Sequence, residues 1–192
     1  MSPLIYCLDG NIGAGKTTVL DELEKRGYCV FREDIKSWEI SLEKYYSDQT
    51  RWAFTLQIAV LHSLRTQKRK ITDITNHSVV FIERSPLSGM VFSKVLYNRG
   101  NMTFDELKLI ESVYKNIGWV PDLTMILSTP FDLCFNRMQQ RQRFCEQTVD
   151  ILYLEELANE YSKIRDNSVM ILDHRGLICD VADRIVEHLP KF

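Results

Sequence analysis

Directly after the apolar run Leu4 to Leu8 stands Gly10-Asn11-Ile12-Gly13-Ala14-Gly15-Lys16-Thr17-Thr18, which fills every fixed position of G-x-x-x-x-G-K-[ST]. The pattern constrains structure as tightly as chemistry. A buried strand must end, the chain must turn through glycines, and a helix must start near Gly15, so that backbone N–H groups and the positive helix end converge on one anion. Val19, Leu20 and Leu23 supply the apolar face of that helix. In such a loop the lysine, Lys16, reaches the β/γ oxygens of a nucleoside triphosphate, and the hydroxyl of Thr17 can ligate Mg²⁺. Residues 10–18 are therefore the candidate cofactor site, for ATP with Mg²⁺.

The rest of the chain alternates short apolar runs with longer amphipathic ones. Strands are expected at Leu4 to Leu8, Cys29 to Arg32, Ser78 to Ile82, Leu123 to Leu127 and Val169 to Leu172. Helical patterns cover Lys16 to Arg26, Arg51 to Lys70, Pro86 to Tyr97, Thr103 to Ile117, Pro130 to Gln140, Val149 to Arg165 and Leu177 to Leu189. That alternation predicts an α/β fold, a five-stranded parallel sheet with helices on both faces. With 192 residues, 45% of them hydrophobic, the chain reads as a single domain, 1–192. Arg141 to Thr148 is charged and lacks an apolar period, which makes it a candidate arginine-rich lid.

A formal net charge of -2 leaves no basic footprint for nucleic acid. No apolar run is long enough to span a membrane, and no targeting pattern opens the chain, so a cytoplasmic protein is expected. Five cysteines, without any C-x-x-C, read as reduced thiols rather than as a disulfide frame or zinc site.

In a parallel sheet of this kind ligands bind outside the carboxyl ends of the strands. The residues there are Glu33-Asp34 after the second run and Glu83-Arg84-Ser85 after the third, with Arg137, Arg141 and Arg143 following later. Carboxylates and an arginine cluster next to a phosphate loop are the requirements of phosphoryl transfer, which needs charge neutralisation and a proton acceptor for the attacking hydroxyl.

Five motifs in order carry a family resemblance: G-N-I-G-A-G-K-T-T at 10–18; Glu33 with Trp38 five residues on; Tyr46 and then R-W-A-F-T-L-Q ending at Gln57; E-R-S at 83–85; and R-x-x-x-R-x-R-x-x-E from Arg137 to Glu146. The chain resembles the deoxynucleoside kinases over nearly its whole length. The resemblance implies an ATP- and Mg²⁺-dependent kinase in which Glu33 is the general base for the nucleoside 5'-hydroxyl, with Asp34 the competing carboxylate. It implies that Glu83 joins Thr17 at the metal and that Arg84 lies near the 5'-oxygen. Trp38 and Phe92 would wall the base, Gln57 would meet its edge, and Tyr46 with Glu146 would read the 3'-hydroxyl. Arg137, Arg141 and Arg143 would fold over the triphosphate, and the turn from Asp173 would contribute to the adenine pocket. Family members commonly dimerise, so a homodimer is expected. Leu56 stands where the family usually carries Phe.

Substrate choice follows from helix geometry and that resemblance together. Gln57, Val60 and Leu64 fall at i, i+3 and i+7, so they are expected to share one face. In relatives that select deoxycytidine, an Arg stands at the position matching Leu64 and an Asp at that matching Gly89. Uncharged residues at both places imply room for the thymine methyl, hence thymidine first, deoxycytidine second and purines poor. The nearest rival is a nucleoside monophosphate kinase of the thymidylate type, which typically shows Asp-Arg where this chain has Glu83-Arg84. A nucleotide-dependent switch is disfavoured by the absence of N-K-x-D and D-x-x-G motifs.

Overall fold

The computed structural model describes residues 2–74, 76–117, 119–142, 149–166, 168–174 and 176–189. Its sheet is built from β1 (Leu4–Gly10), β2 (Cys29–Phe31), β3 (Val79–Glu83), β4 (Leu123–Ser128) and β5 (Val169–Asp173), all parallel, in the order β2-β3-β1-β4-β5. The three inner strands are almost entirely buried, which is why each reads as an unbroken apolar run. Phe81, Leu8, Ile82, Met125 and Leu127 are among the fully enclosed side chains.

Between the strands run α1 (Lys16–Lys25), α2 (Glu39–Ser47), α3 (Gln49–Thr72), α4 (Pro86–Asn98), α5 (Phe104–Ile117), α6 (Phe131–Arg141), α7 (Ile151–Ser162) and α8 (Ile178–Glu187), with a 3₁₀ turn at Ile35–Trp38. Their starts have local causes. Asp48 accepts from the Arg51 N–H at 3.0 Å, Asp150 accepts from the Tyr153 N–H at 2.6 Å, and Pro86 opens α4 where its missing N–H costs nothing. Thr103 and Glu106 cap α5 reciprocally, each side chain accepting from the other's backbone N–H. α1 packs with α8, whereas α4 packs with α3, α5 and α7, so helices flank both faces of the sheet.

The predicted strands and helices are all present, with ends shifted by a few residues. The 3₁₀ turn and α2 were not foreseen. Strand order reverses at β1, whose first crossover leads outward to β2 while β4 joins its other side, and the crevice opens at that switch point. Register then sets the neighbours: Glu83 pairs beside Leu8, and Gly10 beside Leu127. Among the described residues no helix is long and apolar enough to cross a membrane. Cys7, Cys29, Cys134 and Cys179 are free thiols; Cys145 lies outside the described residues.

Candidate active site

The phosphate loop is tightly moulded. Gly13 and Gly15 have φ of 75° and 96°, and a Cβ on Gly13 would lie 2.3 Å from the Cys134 carbonyl oxygen at the heart of α6. A Cβ on Gly15 would lie 2.6 Å from Nε2 of His174. Glycine is thus required twice over, by conformation and by space. The loop is tied from outside by the Thr129 hydroxyl, which donates to the Ala14 carbonyl at 3.0 Å, and by Asn11, whose amide donates to the Leu154 carbonyl of α7 at 2.7 Å.

Lys16 folds back over this loop, donating to the carbonyls of Asn11 at 2.8 Å and Gly10 at 3.3 Å. Burial, with the nearby charge of Arg84, lowers its pKa from 10.5 to about 8, against the opposing pull of Glu83, Glu33 and Asp9. One turn's start later, the Thr17 hydroxyl donates to Glu83 Oε1 at 3.0 Å. Hydroxyl and carboxylate both face the cleft, a hard oxygen pair of the kind Mg²⁺ accepts.

Across from the loop, Glu33 follows β2 and accepts from Arg84 Nε at 3.1 Å. Burial raises the proton affinity of Glu33, while Arg84 and Lys16 oppose that rise. Asp34 is exposed, its carbonyl taken up by the 3₁₀ turn. Arg84 itself is buried, stacks 4.9 Å from the Phe92 ring, and has a left-handed backbone, φ 63°, unusual for a side chain of its size.

These groups line a cleft of about 830 Å³, within the range of small-molecule sites. Ile12, Gly13, Gly15, Lys16, Thr17 and Thr18 form its phosphate end, with Arg137 and Arg141 beside them. Trp38, Tyr46, Gln57, Val60, Gly89 and Phe92 line the other end, and Leu56 joins them. Gly10, Asn11 and Ala14 shape the loop from behind. Leu64 lies elsewhere: it packs with Ile5, Cys7, Val80 and Ile82 in the core beneath the sheet's edge. Seven residues along a helix is an advance of about 10 Å, so a residue on Gln57's face leaves the cleft and enters the core. Asp173 is exposed, and the neighbour that lines the cleft is His174. Arg143 and Glu146, with most of the expected lid, lie outside the described residues.

Sequence reading passed over several site residues. Tyr45 lines the cleft, its hydroxyl pushed up to about 12 by burial. Asp9 is fully buried at the end of β1 and accepts from the Tyr161 hydroxyl at 2.7 Å and the Ser88 hydroxyl at 2.6 Å. A carboxylate closing an otherwise apolar strand, next to a phosphate loop, was the available signal for Asp9; nothing in local pattern marked Tyr161.

Fold and site together define a P-loop kinase. A family model described as deoxynucleoside kinase matches residues 6–191, and the chain belongs to the deoxynucleoside kinase family. The putative deoxynucleoside kinase of Frog virus 3 is 26% identical over 187 residues, covering 97% of this chain and 95% of its own. The thymidine kinase of Ictalurid herpesvirus 1 is 30% identical over 205 residues, with coverage of 98% and 86%. Among solved structures, the deoxyadenosine kinase of M. mycoides with dCMP and dCDP superposes with a TM-score of 0.84 at 23% identity, covering 96% of this chain and 97% of that one. Membership carries ATP-dependent phosphoryl transfer to a deoxynucleoside, and it favours that reaction over the monophosphate kinase alternative.

Proposed function

We propose that the chain transfers the γ-phosphate of ATP to the 5'-hydroxyl of a pyrimidine deoxynucleoside, thymidine before deoxycytidine, with Glu33 as general base. The observation that carries this reading is the Glu33–Arg84 pair at 3.1 Å, set between the phosphate loop and the wall that carries Gln57. A carboxylate with raised proton affinity takes a hydroxyl proton more readily than an ordinary one, and the Arg84 guanidinium beside it opposes part of that rise. As the 5'-oxygen attacks, its proton passes to Glu33, and the growing charge on the phosphoryl oxygens is met by Lys16, the loop N–H groups and Arg84. Arg137 and Arg141 add charge beside the phosphate loop, and Arg143 is assigned the same role. Thr17 and Glu83 would hold Mg²⁺, which when bound neutralises charge on the phosphate oxygens.

At the nucleoside end, Gln57 is buried yet lines the cleft, and its amide carries both donor and acceptor for a pyrimidine edge. Trp38 and Phe92 flank the base, and Tyr46 with Glu146 reads the 3'-hydroxyl. Val60 and Gly89 line the cleft and are uncharged, so they offer the thymine methyl apolar contact in place of charged groups. The relatives' names differ in nucleoside, thymidine in one and deoxyadenosine in another, so the choice falls to these lining residues. A methyl contact is worth only about 1 to 3 kcal/mol, so discrimination is modest. We read the protein as a cytoplasmic homodimer, with exposed Tyr97, Phe104 and Leu109 offering apolar surface on α4 and α5. The test is a panel of thymidine, the other natural deoxynucleosides and thymidine monophosphate with labelled ATP. Highest kcat/KM on thymidine is expected; preference for a purine or for the monophosphate overturns the assignment.

A further inference from the structure

Asp9 is the most enclosed ionisable group at the site, and its carboxylate is completely engaged. Oδ1 accepts from the Gly10 N–H at 2.8 Å and from the Tyr161 hydroxyl at 2.7 Å, and Oδ2 accepts from the Ser88 hydroxyl at 2.6 Å. Arg84 Nη1 lies 3.8 Å from Oδ1, close enough for charge attraction without a hydrogen bond. That same Nη1 donates to the Gly10 carbonyl at 3.2 Å and to the Tyr161 oxygen at 3.3 Å.

The hydroxyl of Tyr161 has one proton. An ionised carboxylate only accepts, so that proton goes to Asp9, and the lone pair left over receives Arg84. Asp9 thereby fixes the direction of the Tyr161 hydroxyl, and the hydroxyl in turn fixes Arg84. The far side of the guanidinium is held by the Phe92 face at 4.9 Å, leaving Nε aimed at Glu33. The backbone joins in: Arg84 N–H donates to the Leu8 carbonyl at 3.0 Å while the residue sits at φ 63°, a left-handed conformation that persists only where surroundings enforce it. Three elements, β1, α4 and α7, thus converge on the one residue that follows β3.

We propose that Asp9 and Tyr161 are a positioning pair that orients Arg84, and through its Nε contact orients Glu33 toward the 5'-hydroxyl. The proposal rests on the reading of Glu33 as general base. It assigns neither residue any contact with substrate; each acts on the reacting atoms only through Arg84. Ser88 completes the set by holding the second oxygen of Asp9. Because Tyr161 lies on α7, the helix that also receives Asn11 of the phosphate loop, nucleoside and phosphate ends are aligned on one element.

The experiment is a double-mutant cycle with steady-state kinetics in both substrates. Tyr161→Phe keeps the ring packing and removes the hydroxyl; kcat should fall about 5- to 20-fold with both KM values within about twofold of wild type. In a Glu33→Gln background the same change should cost less than about twofold more, because the route through Glu33 is already broken. Asp9→Asn, whose amide can donate to the Ser88 oxygen, should lower kcat in the same way and add little to Tyr161→Phe. A purely structural role would instead multiply the losses in every background. Wild-type kcat in Tyr161→Phe, or losses that multiply with Glu33→Gln, would overturn the pair. If Glu33→Gln itself is fully active, the base assignment is what fails, and the kcat of Tyr161→Phe alone still decides whether the pair positions Arg84. Should Asp9→Asn not fold, Tyr161→Phe carries the decision.

Discussion

Lys16 carries a pH signature that separates binding from turnover. The residue is 5% exposed, its ammonium is bonded to the Gly10 and Asn11 carbonyls, and its pKa falls from 10.5 to about 8. At 1.36 kcal/mol per pH unit, that drop represents about 3 kcal/mol by which the ligand-free fold disfavours the charged lysine. Above pH 8 the free enzyme increasingly holds a neutral amine that cannot meet phosphate. Measured at saturating nucleoside, kcat/KM for ATP should be halved near pH 8 and about tenfold lower at pH 9. A bound triphosphate restores the charge, so kcat should stay flat over the same range. Lys16→Arg, charged throughout, should lose the limb whatever its rate.

Stability supplies a second readout of opposite sign. Between pH 8 and 10.5 the unfolded chain binds a proton at this lysine that the folded chain has released, so stability rises with pH there. Relative to Lys16→Met, ligand-free wild type should gain up to about 3 kcal/mol across that window, read from thermal unfolding. A kcat/KM for ATP that is level from pH 7 to 9, or a kcat that falls in step with it, would refute the reasoning.

Glu33→Gln should lower kcat on the order of 10²- to 10⁴-fold with little change in thymidine KM, and the acid limb of wild-type kcat/KM should lie above that of an ordinary glutamate, because burial raises its proton affinity. Gly13→Ala and Gly27→Ala form a matched pair. Both sit at positive φ, but only Gly13 faces backbone, so Gly27→Ala should cost about 1 to 2 kcal/mol with full activity, whereas Gly13→Ala should also lose ATP binding by calorimetry. Leu64→Arg should lower Tm on the order of 10 °C, since it overpacks a leucine site in the core and buries an unpaired cation, rather than converting the enzyme to deoxycytidine. A Leu64→Arg enzyme that melts like wild type and prefers deoxycytidine contradicts this.

The inner strands were legible because a parallel sheet buries both faces, so Val79–Glu83 and Leu123–Ser128 are apolar almost throughout. α2 was hidden for the converse reason. Leu42, Tyr45 and Tyr46, with Trp38 just before, line the cleft while packing on the core, and in the sequence their pattern is diluted by polar residues on both sides. The motifs marked where phosphate chemistry gathers, but motif spacing says nothing of what stands behind a functional group. Asp9 falls between the apolar run Leu4 to Leu8 and the glycine loop, where no motif position claims it, and Tyr161 belongs to a helix 152 residues away whose approach only the packing reveals. Leu64 shows the limit of periodicity: angle around a helix was right, but distance along it carried the side chain out of the cleft.

The same packing explains how a chain of net charge -2 is built to hold polyphosphate. Part of its cationic charge is buried beside carboxylates: Lys16 and Arg84 stand near Asp9, Glu33 and Glu83. A buried cluster balanced in this way folds without stranding a charge, which an isolated cation in the same cleft would do. Balance also has a consequence for turnover. A triphosphate brings more negative charge than a divalent cation removes, and Arg137 and Arg141 of α6 line the cleft beside the phosphate loop, where we propose that they answer to the donor phosphates while the Glu33–Arg84 pair holds the acceptor end.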